Sequence, residues 1–290
     1  MDPLAFLLVM TSAFSHATWN VLAKKGGNKE SFMWIMITSS IFTLLPVYVL
    51  VLPDWRLPLT AVPYMLGSAV AETLYFISLS RAFELGDLSV VYPLARSSPL
   101  FLTVLAVVFL GESISFYGAL GIALMVLGVY TIHLRSLNLN ELTLPLRSLR
   151  NRASQYALLT ALWTTFYSLF DKAGVTAVNP FAYSLWLEIF IAPMMTVVVL
   201  WRSGTEALVR EWRDSKITAI VSGFLMRFGY FIVLWVMSKV QVSYVLALRQ
   251  ISVVLGAAAG VFLLGESYGK ARLVSSVIMF FGIYLLAVLA

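Results

Sequence analysis

Residues 89–113 read SVVYPLARSSPLFLTVLAVVFLGES, and residues 243–267 read SYVLALRQISVVLGAAAGVFLLGES. Each run carries an internal arginine, Arg96 in the first and Arg249 in the second, and each closes on Leu-Gly-Glu-Ser. Written in register, Ser89, Val91, Leu94 and Ser98 stand opposite Ser243, Val245, Leu248 and Ser252. Two questions follow from these lines: whether such apolar runs are membrane helices, and whether the chain is a duplication.

A helix needs about 20 apolar residues to cross a ~30 Å hydrocarbon core. Outward from the quoted runs, Asp, Glu, Lys and Arg are absent from 4–23, 31–53, 113–134, 153–170 and 273–290. A single charge interrupts each of 57–80 (Glu72), 88–111 (Arg96), 173–201 (Glu188), 217–238 (Arg227) and 240–265 (Arg249). These ten stretches predict ten transmembrane helices joined by short connections, the longest at about 135–152 and 202–216. Strict alternation over ~10 residues, the mark of barrel strands, is missing, so the expected fold is an all-α integral membrane protein. Composition agrees: of 290 residues 60% are hydrophobic and 12% charged, with mean hydropathy +0.90. Soluble domains carry about 25% charge, which excludes a soluble enzyme, a disordered chain and a nucleic-acid-binding domain. Without cysteine, and with only His16 and His133, disulfides, thiolate sites and a metal or other cofactor are not expected. The first span begins at Asp2 without a basic flank, unlike a cleavable signal peptide.

The formal charge of +6 is sorted by side. Connections after odd-numbered spans hold Lys24, Lys25, Lys29, Arg81, Arg135, Arg147, Arg150, Arg152, Arg202, Arg210, Arg213, Lys216, Lys270 and Arg272; the others hold Arg56, Lys172 and Lys239. Basic loops stay cytoplasmic, so both termini are expected outside a cytoplasmic membrane.

The duplication extends beyond the opening pair. Tyr75-Phe76-Ile77 recurs as Tyr230-Phe231-Ile232, and Leu22, Lys25 and Gly27 align with Leu169, Lys172 and Gly174. Matches in the same order predict two five-helix repeats, 1–135 and 153–290, joined by a basic loop at 136–152. An odd number of crossings per repeat inverts the second copy, an arrangement common in secondary transporters.

With two five-span repeats, each closing on Leu-Gly-Glu, the sequence resembles the EamA-type branch of the drug/metabolite transporter superfamily. His16-Ala17-Thr18-Trp19-Asn20 and Tyr92-Pro93-Leu94-Ala95-Arg96 carry the same resemblance, which covers essentially the whole chain. It implies a ten-helix transporter of small metabolites. One departure is that the second repeat has no proline at Leu246, where Pro93 would map with one residue of slack, so any kink there is expected to be asymmetric.

Charges inside the spans mark the candidate site. Five of them cost on the order of 12–17 kcal/mol if exposed to lipid, so they must pair or line a hydrated cavity. Glu72 and Tyr75 share a helix face, Arg227 and Tyr230 repeat that spacing, and the repeat maps Glu72 onto Arg227. Arg96 maps onto Gln250, beside Arg249. His16, Trp19, Asn20 and Ala23 form a stripe on the first span, and Trp163, Tyr167 and Phe170 form one on the sixth. The expected substrate-binding set is therefore Trp19, Asn20, Glu72, Tyr75, Arg96, Trp163, Tyr167, Arg227, Tyr230, Arg249 and Gln250. His16, Glu112, Glu188 and Glu266 are candidates for coupling or gating, with Glu188 standing apart from the cluster.

Arginine forks suit a carboxylate or phosphate, and three intramembrane arginines against two glutamates favour an anionic or zwitterionic cargo such as an amino acid. A choline-like amine held by glutamate and aromatic faces is the alternative cargo. A GxxxxGK[ST] motif is absent, so ATP is not the expected driver, and protons are a candidate coupling ion. A lipid-modifying membrane enzyme is the alternative of another class, although HExxH and Asp-rich motifs are missing. The expected partners are a small-molecule substrate and the bilayer, with no nucleic acid; a monomer suffices and a dimer is compatible.

Overall fold

Among the described residues ten α-helices follow one another, with almost no loop between several of them. The computed structural model describes residues 2–23, 26–52, 54–85, 94–131, 134, 143, 150–255 and 270–290. The first five helices are α1 Pro3–Ala23, α2 Lys29–Val51, α3 Val62–Leu85, α4 Ser98–Leu110 and α5 Phe116–Thr131. The second five are α6 Arg152–Ala177, α7 Pro180–Arg202, α8 Gly204–Met237, α9 Val242–Arg249 and α10 Lys270–Tyr284. One helix falls on each of the ten expected spans.

Local chemistry sets the ends. Asn28, Asn151 and Asn179 each accept a backbone N–H of the helix they open, from Ser31, Ala153 and Phe181, which satisfies one otherwise orphaned donor apiece. Gly111 ends α4 with φ +66°, a left-handed conformation in which a Cβ is costly. This explains the glycine in the Leu110-Gly111-Glu112 turn.

Three boundaries correct the sequence reading. The stretch 202–216, expected as a connection, is helical: Ser203 alone separates α7 from α8, and Gly204 at φ +76° makes the turn. At 34 residues α8 is about 50 Å long and outruns the hydrocarbon core. The sixth helix does not stop at 170 but runs to Ala177, so Asp171 and Lys172 belong to it. Arg96 lies in a turn between a helical pair at Leu94–Ala95 and the start of α4 at Ser98. The second repeat, although it lacks the proline, also breaks, at the equivalent Gln250, where a tight turn closes on Ala247. A break without proline arises because the Gln250 N–H bonds back three residues instead of four.

Helix contacts exchange under a swap of the two halves. α3 packs along α6 as α8 packs along α1; α2 meets α8 as α7 meets α3; α4 meets α6 as α9 meets α1. α5 and α10 pair with each other, coming close at Gly121 and Gly282. Five crossings per half place the copies in opposite senses. Outward faces are apolar, as at Leu50, Phe109 and Val197, whereas Glu72, Asp171, Glu188 and Arg227 are buried within. Lys29–Val51, Leu59–Ala82, Pro180–Arg202 and Gly204–Met237 are long and apolar enough to span a bilayer. The molecule is an all-α, ten-helix, multi-pass membrane protein.

Candidate functional site

Between the halves lie two adjoining cavity lobes with shared walls. One lobe, about 40 Å³, is lined by His16, Asn20, Tyr75, Arg96, Arg249 and Gln250, with Thr160, Thr164 and Tyr167 of α6. The other, about 50 Å³, is lined by His16, Trp19, Glu72, Tyr75, Tyr167, Arg227, Tyr230 and Arg249. His16, Tyr75, Tyr167 and Arg249 belong to both. A cavity needs roughly 10–15 Å³ per water, so in this conformation the lobes have room for a few waters and a metabolite requires the lining to move.

Rings and charges interlock across the repeats. Tyr75, Tyr167 and Tyr230 form an edge-to-face ladder with centroids 5.8 and 6.1 Å apart. The Tyr230 ring carries Arg227 at 5.8 Å and Arg249 at 5.7 Å from its centroid, both within the ~6 Å reach of a cation–π contact. Its hydroxyl donates to Asp171, which also accepts from Tyr183 at 2.8 Å. Arg96 Nη2 lies 2.7 Å from His16 Nε2, and the Trp19 indole N–H faces His16 Nδ1 at 3.1 Å.

Among the described residues, polar atoms of both kinds are left without hydrogen-bond partners in this lining. Arg227 Nη1 and Arg249 Nε are donors of this kind, and Glu72 Oε1 and Gln250 Oε1 are acceptors. An unmet buried polar group costs about 1–3 kcal/mol, more when charged, so several around one cavity indicate a place for a polar molecule.

Glu188 does not stand apart. It pairs with Arg227 at 2.6 Å, both side chains almost wholly enclosed. Ser40 donates to its carboxylate at 2.5 Å and Tyr48 at 3.4 Å. Arg227 thus spans from this buried pair to the cavity. Trp163 is off the lining: the cavity face of α6 is Thr160, Thr164 and Tyr167, and Trp163 packs beside Phe166.

Glu112 also lies away from the cavity, at the end of the bundle where α9 begins. Its carboxylate accepts from the N–H groups of Val242 at 2.6 Å and Ser243 at 3.3 Å, and from the Ser243 hydroxyl at 2.7 Å. A carboxylate at a helix N-terminus meets both unpaired donors and the positive end of the dipole. At the same end Lys172 Nζ donates to the Met237 and Val240 carbonyls that finish α8. Glu266 lies outside the described residues.

Asp171 was missed by the sequence reading. It continues the spacing Thr160, Thr164, Tyr167 by one more turn of the same face, and that polar stripe was the available signal.

The model of the EamA-like transporter family matches residues 3–134 and 151–288. This chain belongs to the EamA-like transporter family. The two matched segments lie one in each half of the chain. Among solved structures, one crystal structure superposes over 100% of both chains with TM-score 0.77 at 13% sequence identity, a likeness that shows the fold. No curated protein sequence matches significantly.

Proposed function

We propose that this EamA-family protein is a secondary transporter for a small zwitterionic metabolite, with an L-α-amino acid as the type, working by alternating access. One observation carries the choice of cargo: unpartnered guanidinium donors and an unpartnered carboxylate oxygen line the same lobe. The complement of that lining is a molecule with an anionic acceptor and a cationic donor. Charge balance supports this reading. Among the described residues, Asp171 joins Glu72 and Glu188 against Arg96, Arg227 and Arg249, so a net-neutral cargo leaves the enclosed charges balanced. Neutralising three arginines against two glutamates would instead have favoured an anion.

Membership in the family supports transport, and discontinuous helices at a repeat interface are where secondary transporters hold cargo. Arg96 and Gln250 sit at the two breaks. The excess of Lys and Arg in odd-numbered connections supports insertion in the cytoplasmic membrane with both termini outside. Glu72 is the candidate to exchange a proton during the cycle, being an enclosed carboxylate with an unmet oxygen.

A choline-like amine is the second reading, favoured by the three-tyrosine ladder beside Glu72. A thermal-shift screen of the purified full chain against the proteinogenic amino acids and choline separates the two. A ligand that binds the folded form raises its apparent stability. Stabilisation by one or more amino acids supports the zwitterion; stabilisation by choline alone overturns it in favour of the amine.

A further inference from the structure

His16 is caught between two groups that only donate. Trp19 Nε1–H faces Nδ1 at 3.1 Å, and Arg96 Nη2 faces Nε2 at 2.7 Å. Neither an indole nor a guanidinium accepts a hydrogen bond, and a neutral imidazole offers one N–H and one lone pair. It cannot accept from both; a doubly protonated ring accepts from neither. The contact with Arg96 is shorter and charge-assisted, hence the stronger. In this arrangement of the three side chains Nε2 therefore accepts from Arg96, Nδ1 keeps the proton, and the Trp19 N–H points at another N–H. The junction is short of one acceptor.

We propose that this junction is the subsite for the anionic group of the cargo, a carboxylate or a phosphate. An anion oxygen between Arg96 and His16 supplies the missing acceptor. Arg96 turns its N–H to the anion, the imidazole carries its proton on Nε2 and donates to the same anion, and Nδ1 accepts from Trp19. One proton leaves Nδ1 and one arrives at Nε2, so the ring stays neutral and every donor is met. Trp19 is then a positioning residue, which makes His16 a donor to cargo without touching it. Arg249 lines the same lobe and adds a second positive charge, while Glu72 in the neighbouring lobe takes the cationic end. The proposal rests on the transport reading of the cavity and fixes which way round the cargo sits.

The test is ¹⁵N NMR of histidine-labelled full chain in lipid nanodiscs, carrying His133→Gln so that His16 gives the only histidine signals. Without anion, His16 is expected protonated on Nδ1; saturating acetate or inorganic phosphate moves the proton to Nε2, and methylammonium does not. Response to acetate alone assigns a carboxylate, and response to phosphate alone assigns a phosphate. Arg96→Ala is expected to show Nε2–H already without anion, and Trp19→Phe to weaken anion affinity about threefold to tenfold, the worth of one hydrogen bond. An Nε2–H ring in the anion-free protein, or a ring that neither anion changes, overturns the subsite. The wild-type titration decides even if Arg96→Ala fails to fold. An intact tautomer switch in a protein that moves no amino acid across a membrane would instead overturn the transport reading and leave the subsite standing.

Discussion

Arg227 joins two environments, the Glu188 pair behind it and the cavity in front. Removing one partner of a buried ion pair strands the other charge, at about 3–5 kcal/mol. Arg227→Ala is therefore expected to lower the unfolding midpoint of the purified protein sharply, and Glu188→Gln in the same background to recover much of the loss; an unchanged midpoint in Arg227→Ala would mean the pair contributes nothing. Glu72, Arg96, Arg227 and Arg249 were legible in the sequence because each is a lone charge in an apolar run, which lipid does not tolerate. Asp171 escaped because Lys172 follows it, and two adjacent charges read as the wet end of a span. Only its place below Thr160, Thr164 and Tyr167 on one helix face distinguishes it. The partner of Glu188 was not legible either, since pairing between α7 and α8 depends on rotation of each helix about its axis and not on charge spacing along the chain.

Among the helices, α4 and α9 matter most, because each breaks at a cavity residue. Pro93, just ahead of Arg96 in the sequence, anticipates the first break. Gln250 breaks α9 without proline, so residue type alone underpredicts the symmetry of the site. The charged stretch 202–216 misled in the opposite direction: charge density marks where membrane ends but not where helix ends, and residues 205–216 contain neither Gly nor Pro. The α4–α5 turn gives two tests. Gly111→Ala forces a Cβ into the left-handed region at φ +66° with open space around it, so strain alone is expected, about 1–2 kcal/mol by thermal unfolding. Glu112→Ala removes the acceptor for Val242 and Ser243 and is expected to cost about 1–3 kcal/mol, with faster hydrogen exchange at the start of α9. Exchange there equal to wild type would show that the carboxylate does not hold the helix.

For the molecule as a unit, the paired contacts of α3 with α6 and α8 with α1 put the charged residues on the seam between two similar halves. In the proposed alternating-access cycle, rocking of one half against the other would open that seam to each side in turn, and lobes with room for only a few waters would have to widen as it does. The duplication was readable from Leu-Gly-Glu-Ser and its companions, since a repeat preserves order even where identity is low. The size of the cavity was not, because it depends on how closely the halves approach. Uptake of labelled amino acids into proteoliposomes containing the purified full chain tests the central claim most directly. The wild type is expected to accumulate or exchange at least one of them, and Arg96→Ala and Glu72→Gln, inserted and folded to the same extent, to lose that flux. Uptake at the wild-type rate in both variants would contradict the account.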